Sequence, residues 1–397
     1  MDIFKKSRIY LDYAAATPLS QAAFSAMTPF LVGNFGNASA IHQEGEVARK
    51  AVEEARERVA QALQVRPEFV TFTSGGTESN NLAIVGTIEH LLSRGLLLEE
   101  MEVVTTMIEH PSVMNTTKAL ERRGVVVKYV AVDSEGFVKI EELQKVLSPK
   151  TVLFSVAYAN SEIGVVQKVH AIKKTLDAAE KKFGTKIMFH LDAAQAPLWL
   201  SCRFDALHAD LLALDVGKCN GPKGVGVLVR SRRAIIQSTL FGGGQESGLR
   251  PGTENVAGMV GASVALLEAQ MDFKTRAEKM AKVRDAGIEY LLSEISGAVL
   301  NGPTGDERLA NNINISIPGL DTEFATVVLD KHSFAVSTKS ACAGAGGGES
   351  AVVQSISNDP ARSTSTLRIS LSPETILQNL KDLTKILKSH SEKMSKY

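Results

Sequence analysis

Cysteine is scarce in this 397-residue sequence: Cys202, Cys219 and Cys342 are odd in number and never in CxxC spacing. That pattern argues against a disulfide framework and against a cysteine zinc site, so any special cysteine is a reactive thiol rather than a staple. Net charge is absent as well. The 44 Lys and Arg residues offset 44 Asp and Glu, which leaves no broad basic field to attract nucleic acid or an anionic membrane surface. Long apolar runs are also missing. The start, MDIFKKSRIYLDY, has no stretch of signal-peptide length, and no segment reaches the roughly 18 uninterrupted apolar residues of a membrane span. The expectation is a cytoplasmic protein whose partner is a small molecule or another protein. No internal repeat is visible, and low complexity is confined to AGAGGGES at 343–350.

What is present is alternation. Val47, Ala51, Ala55, Val59 and Leu63 recur every four residues over 42–64 and predict an amphipathic helix. The apolar runs EFVTF, EVVTT, VVVKYVAV, TVLFSVA, KIMFHL, DLLAL and GVGVLV then follow between 68 and 229, most of them separated by helix-length stretches. Such order predicts an α/β fold with a mainly parallel sheet covered on both faces. Beyond the loop FGGGQESGLRPGTENV at 241–256, NINISI and TLRISL alternate apolar and polar residues, reading as strands of a smaller α+β unit. Ser372-Pro373 is predicted to cap a last helix with a stripe of Ile376, Leu380, Leu383 and Leu387. The division expected is a large unit over 17–262 and a small one built from 1–16 and 263–397.

Three motifs carry chemistry. TFTSGGTESNN (71–81) ends a strand in Gly75-Gly76 and opens a helix at Thr77-Glu78, and free N–H groups at a helix start form an anion cradle. HLDAAQ (190–195) places Asp192 at the end of an apolar strand, where a carboxylate needs a partner or serves as a helix N-cap. LDVGKCNGPKG (214–224) sets Lys218 directly after one strand and Lys223 before the next. Cradle, carboxylate and lysine in that order match the needs of pyridoxal phosphate: a phosphate site, a partner for the pyridinium nitrogen, and a Schiff-base lysine.

At this point the sequence resembles the cysteine desulfurases of iron-sulfur cluster assembly, within the fold-type I (aspartate aminotransferase-like) pyridoxal phosphate enzymes of class V. The matching stretches run in order: YLDYAAATP, FGNASAIH, FTSGGTESNNLAI, EHPSV, ANSEIGVVQ, HLDAAQ, GKCNGPKGVG, GLRPGTENV, VSTKSAC and STLRISL, from residue 10 to 371. The resemblance implies that Lys218 holds the cofactor covalently and moves protons, with Asp192 on the ring nitrogen and Gln195 on the ring hydroxyl. It implies that His110 stacks on the ring and assists proton transfer, and that Gly76 and Thr77 bind the phosphate together with Thr253 from a second subunit of a homodimer. Asn160 and Arg368 match positions that hold the substrate carboxylate. Cys342, before a glycine-rich stretch, would take sulfur from L-cysteine as a persulfide, release L-alanine, and pass the sulfur to an acceptor protein such as an iron-sulfur scaffold or a tRNA-thiolation relay. No metal is implied. Two rival functions stay open: selenocysteine lyase or another lyase or transaminase of the same fold, and a catalytically degenerate partner in a sulfur-transfer complex.

The lysine motif departs from the resembled pattern. Family members carry Ser three residues before the lysine and His directly before it, both on the phosphate, where this chain has Asp215 and Gly217. A carboxylate facing a phosphate is repelled by about 4 kcal/mol per pair of unit charges at ~4 Å and an effective dielectric near 20. Either Asp215 points away or the phosphate is held differently. Lys223 is expected outside the catalytic set, and Cys219 is expected to be a packing residue.

Overall fold

The computed structural model describes residues 8–338 and 348–394. The apolar runs condense into a seven-stranded sheet made of β2 (Val70–Thr73), β3 (Glu102–Thr106), β4 (Val126–Val130), β5 (Thr151–Ala157), β6 (Met188–Asp192), β7 (Leu211–Asp215) and β8 (Gly226–Arg230), numbered after a short β1 (Ile9–Tyr10). Its order is β2-β8-β7-β6-β5-β3-β4. Every neighbouring pair is parallel except those made by β8, which runs antiparallel to both β2 and β7. The reversal follows from the short Lys218-to-Val225 connection: a strand that returns without a crossover helix can only pair antiparallel.

Helices cover the sheet because nearly every residue of β2, β3, β5, β6, β7 and β8 is buried. In chain order they are α1 (Gln21–Val32), α2 (Gln43–Leu63), α3 (Gly76–Ser93), α4 (Pro111–Arg123), α5 (Ile140–Val146), α6 (Val169–Phe183), α7 (Phe204–Leu207) and α8 (Val256–Met271). In α2 the buried stripe is Ala48, Ala51, Val52, Ala55, Val59 and Leu63, whereas Val47, expected in it, is exposed in the first turn.

The rest of the chain forms α9 (Phe273–Glu294), β9 (Val299–Leu300), β10 (Asn312–Ser316), α10 (Thr322–Lys331), β11 (Phe334–Ala335), α11 (Ala351–Ser357), α12 (Pro360–Thr364), β12 (Thr366–Ser370) and α13 (Leu377–Met394). β12, β10 and β9 make an antiparallel sheet, and β1 pairs in parallel with β11. The last helix begins later than its sequence predicts. Ser372 instead opens a turn closed by its N–H on Thr375 Oγ1, so Ser372-Pro373 lies four residues before α13 and Ile376 is exposed, while Leu380, Leu383 and Leu387 are buried as expected. The residue-262 division falls within α8, which packs against α1 and α2. No single helix among the described residues is long and apolar enough to cross a membrane.

Candidate active site

Parallel strands end on one edge, and the predicted residues arrive there on separate strands. His110 follows β3, Asn160 follows β5, Asp192 ends β6, and Lys218 closes a single 3-10 turn, Val216–Lys218, directly after β7. Lys218 is a shared wall of two cavities. One, of about 270 Å3, is also lined by Gly76, Thr77, Asp215, Gly217 and Lys223. The other, of about 20 Å3, is lined by His110, Asn160, Asp192 and Gln195.

The larger cavity opens on the start of α3, whose N-cap Gly75 sits at φ 154° and supplies no capping side chain. Glycine at 226 lets β8 begin against this turn, since a Cβ there would lie 2.5 Å from the Gly75 carbonyl carbon. The first-turn N–H groups are thus left for an anion. Asp215 does not point away. Its Oδ1 accepts from the Gly217 N–H at 3.0 Å, and its Oδ2 would lie 3.5 Å from a Cβ built on Gly76, so its carboxylate faces the cradle.

Around the smaller cavity a chain of hydrogen bonds fixes a proton. Asn80 Nδ2 donates to Asp192 Oδ2 and to Ser112 Oγ, both at 2.8 Å, and the Ala194 N–H donates to Asp192 Oδ1 at 3.0 Å. Because Ser112 Oγ accepts from Asn80, its own proton turns to His110 Nδ1 at 2.7 Å, which also accepts the Ser112 N–H at 3.1 Å. Burial, then the positive charge of Lys218, pushes the His110 imidazolium below its ordinary range. A neutral ring that accepts twice on Nδ1 carries its proton on Nε2. Asn80 and Ser112 lie inside the quoted motifs, yet only the meeting of α3, α4 and β6 reveals their role.

Asn160 is more committed than expected: its Oδ1 accepts from the N–H groups of Glu162 and Ile163 at 2.8 and 3.0 Å, and its Nδ2 donates to the Ile108 carbonyl at 2.7 Å. Only one amide N–H remains for a ligand. Gln195 Nε2 donates to the Ala14 carbonyl at 2.9 Å. Arg368 is buried on β12; its Nη2 donates to Asp12 Oδ1 at 2.8 Å and its Nη1 to the Ser161 carbonyl at 3.3 Å, while its Nε has no acceptor among the described residues. Asp12 is a residue that sequence reasoning missed. Thr253 is exposed and lines neither cavity of this chain, and Cys342 lies outside the described residues. Cys202 and Cys219 are fully buried, which pushes both thiols well above the ordinary range; Cys219 Sγ rests 3.4 Å from the Val216 carbonyl oxygen, as packing requires.

Glu109 is a further residue without a sequence signal. It is buried beside the site, accepts from Thr106 Oγ1 at 2.6 Å, and has an Oε2 with no partner among the described residues. Burial, with the negative Asp192 adding to it, pushes its carboxyl up to about 8. The folded state keeps this proton where an unfolded carboxyl has lost it, so the stabilisation is present at acid pH and disappears as pH rises from about 4.5 to about 8. Glu109→Gln is therefore expected to be more stable than the native chain at pH ~8, by roughly 4 kcal/mol, and close to it at pH ~5, in urea unfolding at both values. An unchanged difference between the two pH values would show that Glu109 is ionised in the fold.

Comparison with known proteins agrees with this architecture. The aminotransferase class-V family model matches residues 9–383. A cysteine desulfurase IscS of Dictyoglomus turgidum is 37% identical over 389 residues, covering 98% of this chain and 96% of that protein. One from Clostridium botulinum is 36% identical, covering 97% and 96%. Among solved structures, a NifS-like protein superposes with TM-score 0.88 at 31% identity, covering 97% of this chain and 99% of that one. SspA in complex with cysteine gives TM-score 0.77 at 32% identity, covering 93% and 100%. A single family model spanning β1 to α13, with the lysine, carboxylate and helix start gathered on one sheet edge, leaves one conclusion: the chain belongs to the class-V aminotransferase family, among its cysteine desulfurases.

Proposed function

We propose that this chain uses pyridoxal phosphate to release L-alanine from L-cysteine, leaving the sulfur as a persulfide on Cys342. The observation that carries the reading is Lys218 standing between the buried Asp192 carboxylate and the uncapped start of α3. A cofactor that carries both a pyridinium nitrogen and a phosphate would need such a pair. When bound, the cofactor supplies an electron sink for bonds broken at the substrate.

The residues divide the remaining work. Asp192 is held on both oxygens by Asn80 and Ala194, so the carboxylate that would hold the ring nitrogen is fixed beforehand. Lys218 anchors the ligand and carries protons at the reacting carbons. His110 offers its Nε2–H from a fixed ring. Arg368, buried and bonded to Asp12 and to the Ser161 carbonyl, is the cation that would exchange one of those bonds for the carboxylate of an amino acid. The balance closes without an outside oxidant: one thiol and one cysteine become one persulfide and one alanine. That thiol must be reachable as a thiolate, which disqualifies the buried Cys202 and Cys219.

A homodimer gives Thr253 a cradle to reach in a second copy and covers side chains such as Phe35, Ile41 and Phe241, which are 78%, 99% and 102% exposed. The sulfur then passes to an acceptor protein. Alanine release from L-cysteine by the purified protein, raised by added pyridoxal phosphate, tests the reading; a colourless protein that makes no alanine sinks it. Cys342→Ser is expected to stay yellow, to bind cysteine, and to form no protein persulfide by mass spectrometry. Persulfide persisting on Cys219 in that variant would exchange the roles of the two thiols.

A further inference from the structure

The cradle in front of α3 is short of positive charge for a phosphate. Four charged side chains line it: Glu78, Asp215, Lys218 and Lys223. Glu78 is engaged by the Ser74 N–H at 2.7 Å and by Arg250 Nε at 3.1 Å, and Arg250 itself does not line the cavity. The Asp215 carboxylate is met by one backbone N–H and otherwise faces the cavity. Lys218 is committed to the ring end of the ligand under the reading above. Lys223 remains. Its ammonium donates to a neutral acceptor, the Thr17 carbonyl, and it makes no ion pair among the described residues. Gly217 lies against its stem: a Cβ built there would touch Lys223 Cα and Cγ at 3.7 Å and crowd Asp215 Oδ1 at 3.3 Å. The side on which the resembled pattern holds histidine is thus taken here by the Lys223 chain.

We propose that Lys223 is the phosphate-binding cation of this chain, exchanging the Thr17 carbonyl for a phosphate oxygen, with Asp215 as the counter-charge facing the same cradle. An ammonium and a carboxylate at similar range offset one another to first order, so the cradle accepts a phosphate that Asp215 alone would repel. The Ser and His donors of the resembled pattern are replaced here by one lysine charge. Lys223 stands on a solvent-exposed turn, and its replacement leaves the core untouched.

The proposal rests on the pyridoxal phosphate reading, and a two-ligand titration separates the two. Protein stripped of cofactor is titrated with pyridoxal phosphate and, separately, with pyridoxal, followed by visible absorbance. Lys223→Met is expected to weaken pyridoxal phosphate binding by about tenfold to a hundredfold, the range of a charged hydrogen bond. Binding of pyridoxal should stay within about twofold, and Lys223→Arg should recover most of the loss, since the charge is kept. A Lys223→Met protein that binds pyridoxal phosphate like the native chain, or that loses both ligands equally, overturns the proposal. A native chain that gains no absorbance with either compound overturns the cofactor reading and the proposal with it.

Discussion

Lys218→Ala is expected to lower alanine release from cysteine by about a thousandfold or more, even with cofactor in excess. General acid-base groups contribute roughly 10²- to 10⁴-fold, and this variant also removes the covalent anchor. Geometry leaves no substitute: Lys218 is the lysine common to both cavities, and Lys223 lines only the one in front of α3. Borohydride reduction of the native protein followed by peptide mapping should place the pyridoxyl group on Lys218. A label on Lys223 would reverse the assignment and remove the basis for its phosphate role at the same time.

Glu246→Ala is expected to cost the fold about 3 kcal/mol, because the Phe72 N–H loses its acceptor and Arg56 is left with only the exposed Glu53 and the Val70 carbonyl. Glu246 is 8% exposed and meets Arg56 through two hydrogen bonds, Nη1 to Oε2 at 2.8 Å and Nη2 to Oε1 at 2.7 Å, while the Phe72 N–H donates to Oε2 at 2.7 Å. Three donors would lose their acceptor together. The backbone shows what the pair holds in place, because Glu246 and Ser247 sit at φ 50° and 56°, a conformation that costs non-glycine residues of order 1 kcal/mol or more and persists only when neighbours enforce it. Urea unfolding measures the loss. Glu53→Ala, which removes the exposed partner of the same arginine, should cost under ~1 kcal/mol and serves as the comparison. Equal effects from the two would show that the buried pair is not what fixes this loop.

Much of this fold is legible in the chain because burial on both faces leaves a plain trace. β3, β5 and β7 coincide with EVVTT, TVLFSVA and DLLAL to within a residue, as parallel strands between helices must be apolar throughout. Helix ends were less legible: the turn at Ser372 uses the same residue types as a cap, and the difference lies in which hydroxyl takes which N–H. Lys218, His110 and Asp192 were legible through their motifs. Asn80, Ser112 and Asp12 were not, because their roles exist only across pairs of elements distant in sequence, and the direction taken by Asp215 depends on the neighbouring α3. Local pattern reports how deeply a residue sits, not what it faces.

The Arg368–Asp12 pair joins residues 356 positions apart, the guanidinium on β12 and the carboxylate just beyond β1. During synthesis, the segments bearing Gly76, Asp192 and Lys218 leave the ribosome well before β12 does, and domains generally fold as they emerge. A nascent chain therefore presents Gly76, Asp192 and Lys218 before the Arg368–Asp12 pair can form. Order of manufacture becomes order of assembly: under the proposed function, the segments assigned to the cofactor are made before the arginine assigned to the substrate carboxylate.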